Sequence, residues 1–245
     1  TLNTSSYRVL SSSKSRMKDD TTMQTKTSVT LLVGVLQPER EPYPVFSPEA
    51  MEFLAAVSAE IGASELHTIP EIAAFGFWCR RAHLEALAKR HDSPFPRLGR
   101  GLAFHIAPSN VPTMFAYSYT IGLLAGNANI VRLSERGGEI GTMLCGCLGR
   151  VLDRPEFEPI KRRTSFISYG RDDAVTAAYT AECDARVVWG GDETIRRIRA
   201  LPLQPHAVEL VFPDRWSFAL FSQAAFSQAD EETLAAWAHR FYNDT

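Results

Sequence analysis

The stretch His105-Ile-Ala-Pro-Ser-Asn-Val-Pro112 decides the fold of this chain. The preceding residues Gly101-Leu-Ala-Phe predict a short buried strand, and Pro108 ends it because proline has no N–H to donate to a strand. The loop that follows carries the polar pair Ser109-Asn110. This pair therefore lies at the carboxyl end of a strand, which is where ligands bind in open parallel sheets.

An apolar helix follows the loop. Met114-Phe-Ala-Tyr-Ser-Tyr-Thr-Ile-Gly-Leu-Leu is apolar almost all round, which predicts a buried helix. Gly126-Asn127 predicts a left-handed helix end, and Ile130-Val131 begins a second strand. The whole segment is a strand–loop–helix–strand crossover, the unit from which parallel sheets are built.

The same alternation continues beyond Pro96 and predicts a parallel sheet with helices on both faces. Strands are predicted near 102–107, 129–133, 164–168, 186–189 and 217–221, and helices near 113–125, 137–152, 172–181, 192–200 and 230–240. Upstream, Ser47-Pro48-Glu49 predicts a helix start, with a helix to Ile61 and a longer one from about Pro70 to His91.

Three segments are predicted. Residues 1–27 form a disordered leader or an added segment, because they are polar and lack an apolar period. Residues 28–98 form an N-terminal helical part, and residues 99–245 form a nucleotide-binding α/β domain. The predicted fold class is therefore α/β.

Composition excludes several classes of function. The formal net charge is −2, which gives no general attraction to nucleic acid. No run approaches the ~18 apolar residues of a membrane span. The four cysteines have no metal-ligand spacing, so we expect no metal site. Unpaired cysteines favour the cytoplasm.

Two motifs resemble a known superfamily. Pro108-Ser109-Asn110-Val111-Pro112 resembles the Pro-Trp-Asn-Phe-Pro signature of aldehyde dehydrogenases, and Val131-Arg-Leu-Ser-Glu135 resembles their Lys-Pro-Ser-Glu strand end. The residues between them, together with Val187–Ile195 and Phe212–Phe218, are more similar to the LuxC-type fatty acyl-CoA reductases of bacterial luminescence. The resemblance covers about residues 45–245. It implies an aldehyde dehydrogenase-like, Rossmann-type parallel sheet with N-terminal helices.

The resemblance also implies a reaction. The substrate would be a fatty acyl-CoA or an acyl-protein donor, the product a fatty aldehyde, and the cofactor NADPH, with NAD as the alternative. An acyl-protein synthetase or transferase is the implied partner, and we expect a homo-oligomer. In the family a cysteine thiolate attacks the thioester just after the helix that here ends near Thr245. No cysteine of this chain fits that position, so we expect the catalytic domain to be absent and the chain alone to be inactive.

Asn110 is the candidate catalytic residue. In the resembled superfamily its amide donates to the oxygen that becomes negative when the thiolate attacks, as in an oxyanion hole. The alternative is a turn asparagine that satisfies its own loop.

Arg132, Ser134 and Glu135 end the second predicted strand. The family places a basic residue here, against the adenosine ribose or the 2′-phosphate of NADP, and a guanidinium suits a phosphate because it donates two hydrogen bonds at once. Glu135 would instead accept from the 2′-hydroxyl of NAD. The alternative is a solvated charge at a strand end.

Gly190-Gly191-Asp192 joins the fourth predicted strand to its helix. Two glycines let the backbone approach a pyrophosphate at a helix N-terminus, although Asp192 can also simply cap the helix. Trp189 and His105 are predicted to be core residues. The predicted cofactor-binding residues are Ala107, Pro108, Ser109, Arg132, Ser134, Glu135, Gly190 and Gly191.

The segment from Glu209 to Ser217 bears on the direction of the reaction. Oxidising relatives carry Glu-Leu-Gly-Gly-Lys there, whose glutamate activates water. An alignment on Ser217 puts Phe212 at that position, which favours a reductase. Two alternatives stay open: an oxidising aldehyde dehydrogenase, and a non-catalytic nucleotide-binding remnant that assembles with an acyl-transferring partner.

Overall fold

A computed structural model of the 245-residue chain describes residues 6–7, 28–108, 110–134, 138–215 and 218–244. The chain divides into two compact units, Thr1–Asp214 and Arg215–Thr245. The first unit holds the sheet and every predicted site residue. Among its described residues, the second holds two helices.

One seven-stranded sheet organises the first unit. Its strands are β1 Ser6–Tyr7, β2 Val29–Gly34, β3 Leu102–Ile106, β4 Ala128–Leu133, β5 Thr164–Ser168, β6 Ala185–Gly190 and β7 Val208–Pro213. The spatial order is β1-β2-β5-β4-β3-β6-β7. In this spatial order, the five neighbouring strands β5, β4, β3, β6 and β7 are parallel to one another. β2 pairs antiparallel with β5, and β1 pairs antiparallel with β2.

The α-helices of the described residues are α1 Pro48–Ala63, α2 Pro70–Trp78, α3 Arg81–Arg90, α4 Met114–Leu124, α5 Gly138–Leu152, α6 Glu158–Lys161, α7 Asp173–Glu182, α8 Asp192–Arg199, α9 Gln223–Gln228 and α10 Glu231–Asp244. Short 3₁₀ turns lie at Glu65–Thr68 and Pro155–Phe157. Within the part of the chain that the structure describes, none of these helices has the length and apolar character to cross a bilayer.

Helices cover both faces of the sheet. One buried cluster joins α1, α2, α4 and α5 to the sheet through Phe53, Phe75 and Tyr119. The other joins α7 and α8 to the opposite face through Phe104 and Ile195. Burying one large apolar side chain stabilises the fold by about 1.5–3 kcal/mol, so the two clusters supply the main driving force.

The N-terminal part is tied to the sheet by Arg163. Its buried guanidinium donates to the carbonyls of Glu41 and Gly126 and lies 3.7 Å from the centre of the Tyr43 ring. Gly126 has a φ of 82°, as the predicted left-handed helix end requires. A Cβ there would lie 2.1 Å from the carbonyl oxygen of Tyr43, so only glycine fits.

Most of the predicted elements are confirmed within a residue or two. The parallel sheet with helices on both faces is present, and four of the five predicted strands match β3, β4, β5 and β6. The five helices predicted beyond Pro96 match α4, α5, α7, α8 and α10.

The strand predicted at 217–221 is wrong. The fifth parallel strand is β7, and residues 218–222 have no regular structure, with Phe218 91% exposed. No element was predicted for residues 208–213, which contain the charged residue Glu209. In the structure its carboxylate accepts from Arg186, its direct partner on β6, at 2.5 Å. The ion pair is what lets a charged residue occupy that strand.

The helix predicted from Pro70 to His91 is broken into α2 and α3 at Cys79 and Arg80. The apolar residues keep a helical spacing across this break because both helices pack on one cluster, through Phe75 in α2 and Leu84 in α3. Residues 29–34, which fall in the part predicted to be helical, form β2 instead. Ser6–Tyr7, within the predicted leader, pair with β2, and the rest of that leader lies outside the described residues.

Candidate functional site

The order of the parallel strands creates a switch point. From β3 the chain passes to β4 and β5 on one side, then crosses to β6 and β7 on the other. The loops that leave β3 and β6 therefore separate, and in open α/β sheets the crevice between such loops binds ligands. We call the side of the sheet at which the parallel strands end the carboxyl edge.

The loop after β3 contains the predicted oxyanion donor. Ala107 is buried, and its N–H donates to the carbonyl of Arg132 at 3.2 Å, which fixes the start of the loop. Pro108 is half-buried and Asn110 is exposed. Among the described residues the Asn110 amide has no hydrogen-bond partner. It does not satisfy its own loop there and can donate to a ligand. Ser109 lies outside the described residues.

Arg132 is half-buried near the end of β4. One Nη donates to the carbonyl of Tyr169 at 2.9 Å, and the guanidinium carbon lies 5.1 Å from the centre of the Tyr169 ring. It is therefore held against the neighbouring strand end rather than fully solvated. A guanidinium carries five N–H donors, so it can hold a carbonyl and a phosphate together. Ser134 follows β4 at the same edge, and Glu135 lies outside the described residues.

Gly190 and Gly191 connect β6 to α8. Gly190 has a φ of 155°, and a Cβ there would lie 3.1 Å from Thr194. Gly191 is the N-cap of α8 and has nothing within 4 Å of an added Cβ. This open space above a helix N-terminus fits a pyrophosphate. Asp192 is the first residue of α8 rather than its cap, and its carboxylate and that of Glu193 oppose an anion here.

The structure therefore brings Asn110, Ser134 and Gly190 to the ends of three adjacent parallel strands, β3, β4 and β6. The predicted placement at one edge of the sheet is confirmed. The chemical roles of these residues remain predictions.

All four cysteines are buried and unpaired. Burial raises the pKa of Cys145 to about 12. It also raises the pKa of Cys147 and of Cys183, each to about 11, and it raises the pKa of Cys79 as well. A nucleophilic cysteine needs a thiolate and access to substrate, and these four have neither.

The carboxylate of Glu209 forms ion pairs with two arginines. Besides Arg186, its carboxylate accepts from Arg199 at 2.5 Å. Burial raises its pKa, but the hydrogen bonds from Arg199 and Arg186 outweigh burial and leave the pKa of Glu209 below its ordinary value. A carboxylate held by two arginines is a poor base for activating water. At the carboxyl edge, β7 ends instead in Phe212-Pro213.

A buried polar network beneath β3 and β6 was not predicted. His105 is a core histidine, as predicted, but both ring nitrogens are hydrogen-bonded, to Ser118 at 2.8 Å and to Asn129 at 3.0 Å. Ser118 also accepts from the indole of Trp189 at 3.1 Å. The sequence signal for this network was the presence of a polar serine in a buried helix and a polar asparagine in a buried strand.

The second unit contains a cavity of about 310 Å³. Its lining is mostly apolar, with one guanidinium, and consists of Leu220, Phe221, Ser222, Ala225, Phe226, Trp237 and Arg240. None of these residues was predicted to belong to the site.

Several solved structures share the fold. Lactaldehyde dehydrogenase from Escherichia coli is 17% identical with a TM-score of 0.52, over 67% of this chain and 39% of that chain. An NADP-dependent glyceraldehyde-3-phosphate dehydrogenase from Bacillus halodurans, solved with NADP, is 16% identical with a TM-score of 0.51, over 67% and 40%. A proline utilization A variant from Bradyrhizobium japonicum is 20% identical with a TM-score of 0.52, over 69% and 20%. This chain thus spans between 20% and 40% of their lengths.

Sequence comparison gives one match. The family model described as acyl-CoA reductase (LuxC) matches residues 77–243, which include β3, β4, β6 and the predicted site. No curated protein matches the chain.

Proposed function

This chain belongs to the LuxC family of acyl-CoA reductases, and from that membership we propose that it is the cofactor-binding part of an NADPH-dependent reductase of long-chain fatty acyl thioesters. The observation that carries the proposal is the meeting of Asn110, Ser134 and Gly190 at the ends of adjacent parallel strands beside the switch point. Such crevices bind dinucleotides.

The cofactor would lie along the carboxyl edge. The backbone at Gly190 and Gly191 and the N-terminus of α8 hold the pyrophosphate, and Arg132 with Ser134 holds the adenosine ribose and its 2′-phosphate. One similar structure is NADP-dependent and was solved with NADP, which supports a nicotinamide cofactor. NADH is the alternative.

Bound NADPH supplies the hydride that reduces the acyl carbon. The acyl group first passes from coenzyme A to a cysteine thiolate, and coenzyme A leaves as a thiol after taking up a proton. Asn110 donates an N–H to the acyl oxygen as negative charge develops on it. One acyl-CoA, one NADPH and one proton thus give one aldehyde, one coenzyme A and one NADP⁺.

We propose that the cysteine nucleophile comes from outside these 245 residues, because all four cysteines present are buried thiols. The acyl donor is a fatty acyl-CoA or an acyl-protein, supplied by a synthetase or transferase partner to a cytoplasmic homo-oligomer. The engagement of Glu209 with Arg186 and Arg199 supports reduction over hydrolysis, since that carboxylate is not available to activate water.

A nucleotide-binding module without catalysis is the second candidate, and the burial of the four cysteines favours it. A protein extended beyond Thr245 separates the two functions. Aldehyde production from a long-chain acyl-CoA and NADPH supports the reductase, whereas nucleotide binding without turnover supports the module.

Cofactor binding is tested with the Arg132→Ala variant. If Arg132 binds the 2′-phosphate, NADPH should bind about tenfold to hundredfold more weakly, because a charge-assisted hydrogen bond contributes about 1.5–3 kcal/mol. NADH should be nearly unaffected. Glu135→Gln should strengthen NADPH and weaken NADH. Calorimetric titration measures the affinity of each variant for NADPH and for NADH. An equal loss of affinity for both nucleotides in Arg132→Ala would refute the assignment of Arg132.

A further inference from the structure

Trp189 and Phe212 form a stacked aromatic pair at the carboxyl edge. They are direct partners on β6 and β7, with ring centres 4.1 Å apart and planes 11° from parallel. Trp189, predicted from the sequence to be a core residue, is only half-buried, and Phe212 remains 42% exposed. Trp189 immediately precedes Gly190, so the pair adjoins the proposed pyrophosphate turn.

A buried chain of hydrogen bonds holds the indole of Trp189. The Asn129 amide donates its N–H to the carbonyl of Asn127 at 2.9 Å, so its oxygen faces His105 and can only accept. Nε2 of His105 therefore carries the hydrogen, and Nδ1 accepts from the hydroxyl of Ser118. The Ser118 oxygen in turn accepts from the Trp189 indole. Each hydrogen bond of this network therefore has one donor and one acceptor.

Water has no access to this chain of hydrogen bonds, because the residues that form it are buried. His105 is 1% exposed, Ser118 4% and Asn129 0%. A Cβ at Gly122 on α4 would lie 2.2 Å from the Asn129 oxygen, so the helix sits directly over the network. Breaking a buried hydrogen-bond network leaves unpaired polar groups away from water, which is unfavourable. The indole is thus fixed at its edge by Ser118 and on its face by Phe212.

The order of strands indicates what the pair faces. The proposed adenosine contacts end β4, and the proposed pyrophosphate turn ends β6. Adjacent strands lie about 4.8 Å apart, so a dinucleotide that runs from β4 to β6 has its remaining half at the end of β7, where Phe212 lies.

We propose that the Trp189–Phe212 pair is the platform against which the nicotinamide ring of the cofactor lies, and that Ser118 and His105 are positioning residues that hold the indole there. This inference rests on the proposed function. A flat ring gains from contact with an aromatic face. The same wall is apolar where oxidising relatives carry a water-activating carboxylate, so it also keeps water from the acyl carbon.

The platform is tested with two nucleotides on the 245-residue chain. NADPH and 2′-phospho-ADP-ribose differ in that the second lacks the nicotinamide, and both are titrated by calorimetry. Phe212→Ala, on the exposed edge strand, should weaken NADPH about tenfold and leave 2′-phospho-ADP-ribose within about twofold. Equal effects on the two nucleotides, or none, overturn the platform but leave the proposed function standing. If the unmutated chain binds neither nucleotide, the proposed cofactor site fails as well.

The positioning role is tested on α4. Ser118→Ala should weaken NADPH several-fold and shift the Trp189 emission, whereas Ser118→Thr, which keeps the hydroxyl, should restore both. Thr120→Val is the matched control, because Thr120 is fully buried on the same helix and, among the described residues, its hydroxyl has no hydrogen-bond partner. Emission is read in a background in which the other tryptophans, Trp78, Trp216 and Trp237, are phenylalanine.

Equal effects of Ser118→Ala and Thr120→Val would overturn the positioning role. If Ser118→Ala does not fold, Trp189→Phe serves instead, because it removes the indole N–H but keeps a ring that can stack on Phe212. It should weaken NADPH and leave 2′-phospho-ADP-ribose unchanged. Unchanged NADPH binding in that variant would show that the anchor is not needed.

Discussion

Acidification should destabilise this protein through His105. Burial lowers the pKa of His105 from its ordinary value of 6.5 to about 4, and the hydrogen bond with Asn129 only partly opposes this effect. Between these two pH values the unfolded chain binds a proton at His105 and the folded chain does not. Stability from this group is therefore fully present above pH 6.5 and is lost as the pH falls towards 4.

The size of the effect follows from the difference between the two pKa values. Each unit of difference is worth 1.36 kcal/mol, so the loss between pH 6.5 and 4 is about 3 kcal/mol. Domains are stable by only about 5–15 kcal/mol, so one histidine removes a large share. The described residues in hydrogen-bond contact with the ring, Ser118 and Asn129, are uncharged, and no ion pair offsets the loss.

Urea unfolding followed by circular dichroism at several pH values measures this loss. The matched variant is His105→Gln, whose amide does not titrate. It should be less stable than the unmutated protein at pH 7, because it fits the network less well. The difference between the two proteins should shrink by about 3 kcal/mol by pH 4. A difference that stays constant from pH 7 to 4 would refute the view that His105 is buried and neutral.

Four further predictions concern the glycine turn, Glu209 and the four cysteines. The Gly191→Ala variant should fold normally, because nothing lies within 4 Å of the added Cβ, but it should bind NADPH more weakly in calorimetry. The Gly190→Ala variant should have a free energy of unfolding lower by about 1–3 kcal/mol, because Gly190 has a φ of 155°. Glu209→Gln should cost about 3–5 kcal/mol in chemical denaturation, since Arg186 is 3% exposed and loses its carboxylate; unchanged stability would contradict a structural role. The 245-residue chain should form no aldehyde from tetradecanoyl-CoA and NADPH, and activity lost on replacing any one of the four cysteines would show that a buried thiol reacts.

The central crossover was predictable because its signals are local and strong. Pro108 ends β3, Gly126 ends α4 with a positive φ, and the uniformly apolar segment between them forms a buried helix. Each of these choices depends on only a few neighbouring residues. The edge location of Asn110 followed from the same signals, since it comes directly after β3.

The elements that were mispredicted depend on distant partners. β7 contains Glu209, and only the approach of Arg186 and Arg199 makes a carboxylate acceptable in that strand. β2 lies 130 residues or more from β5, its partner in the sheet. The network of His105 likewise joins a strand and a helix through contacts that sequence spacing does not reveal. These pairings are long-range, and no local pattern specifies them.

The anchorage of Arg163 has a practical consequence for dividing this protein. A fragment that starts at residue 99 would lack β2, which pairs with β5, and would also lack Glu41 and Tyr43, which surround the Arg163 guanidinium. It would expose a sheet edge and leave a buried cation with fewer partners. We expect such a fragment to aggregate on expression. The shortest soluble version for ligand screening should therefore begin before β2, although the proposed site lies entirely after residue 100.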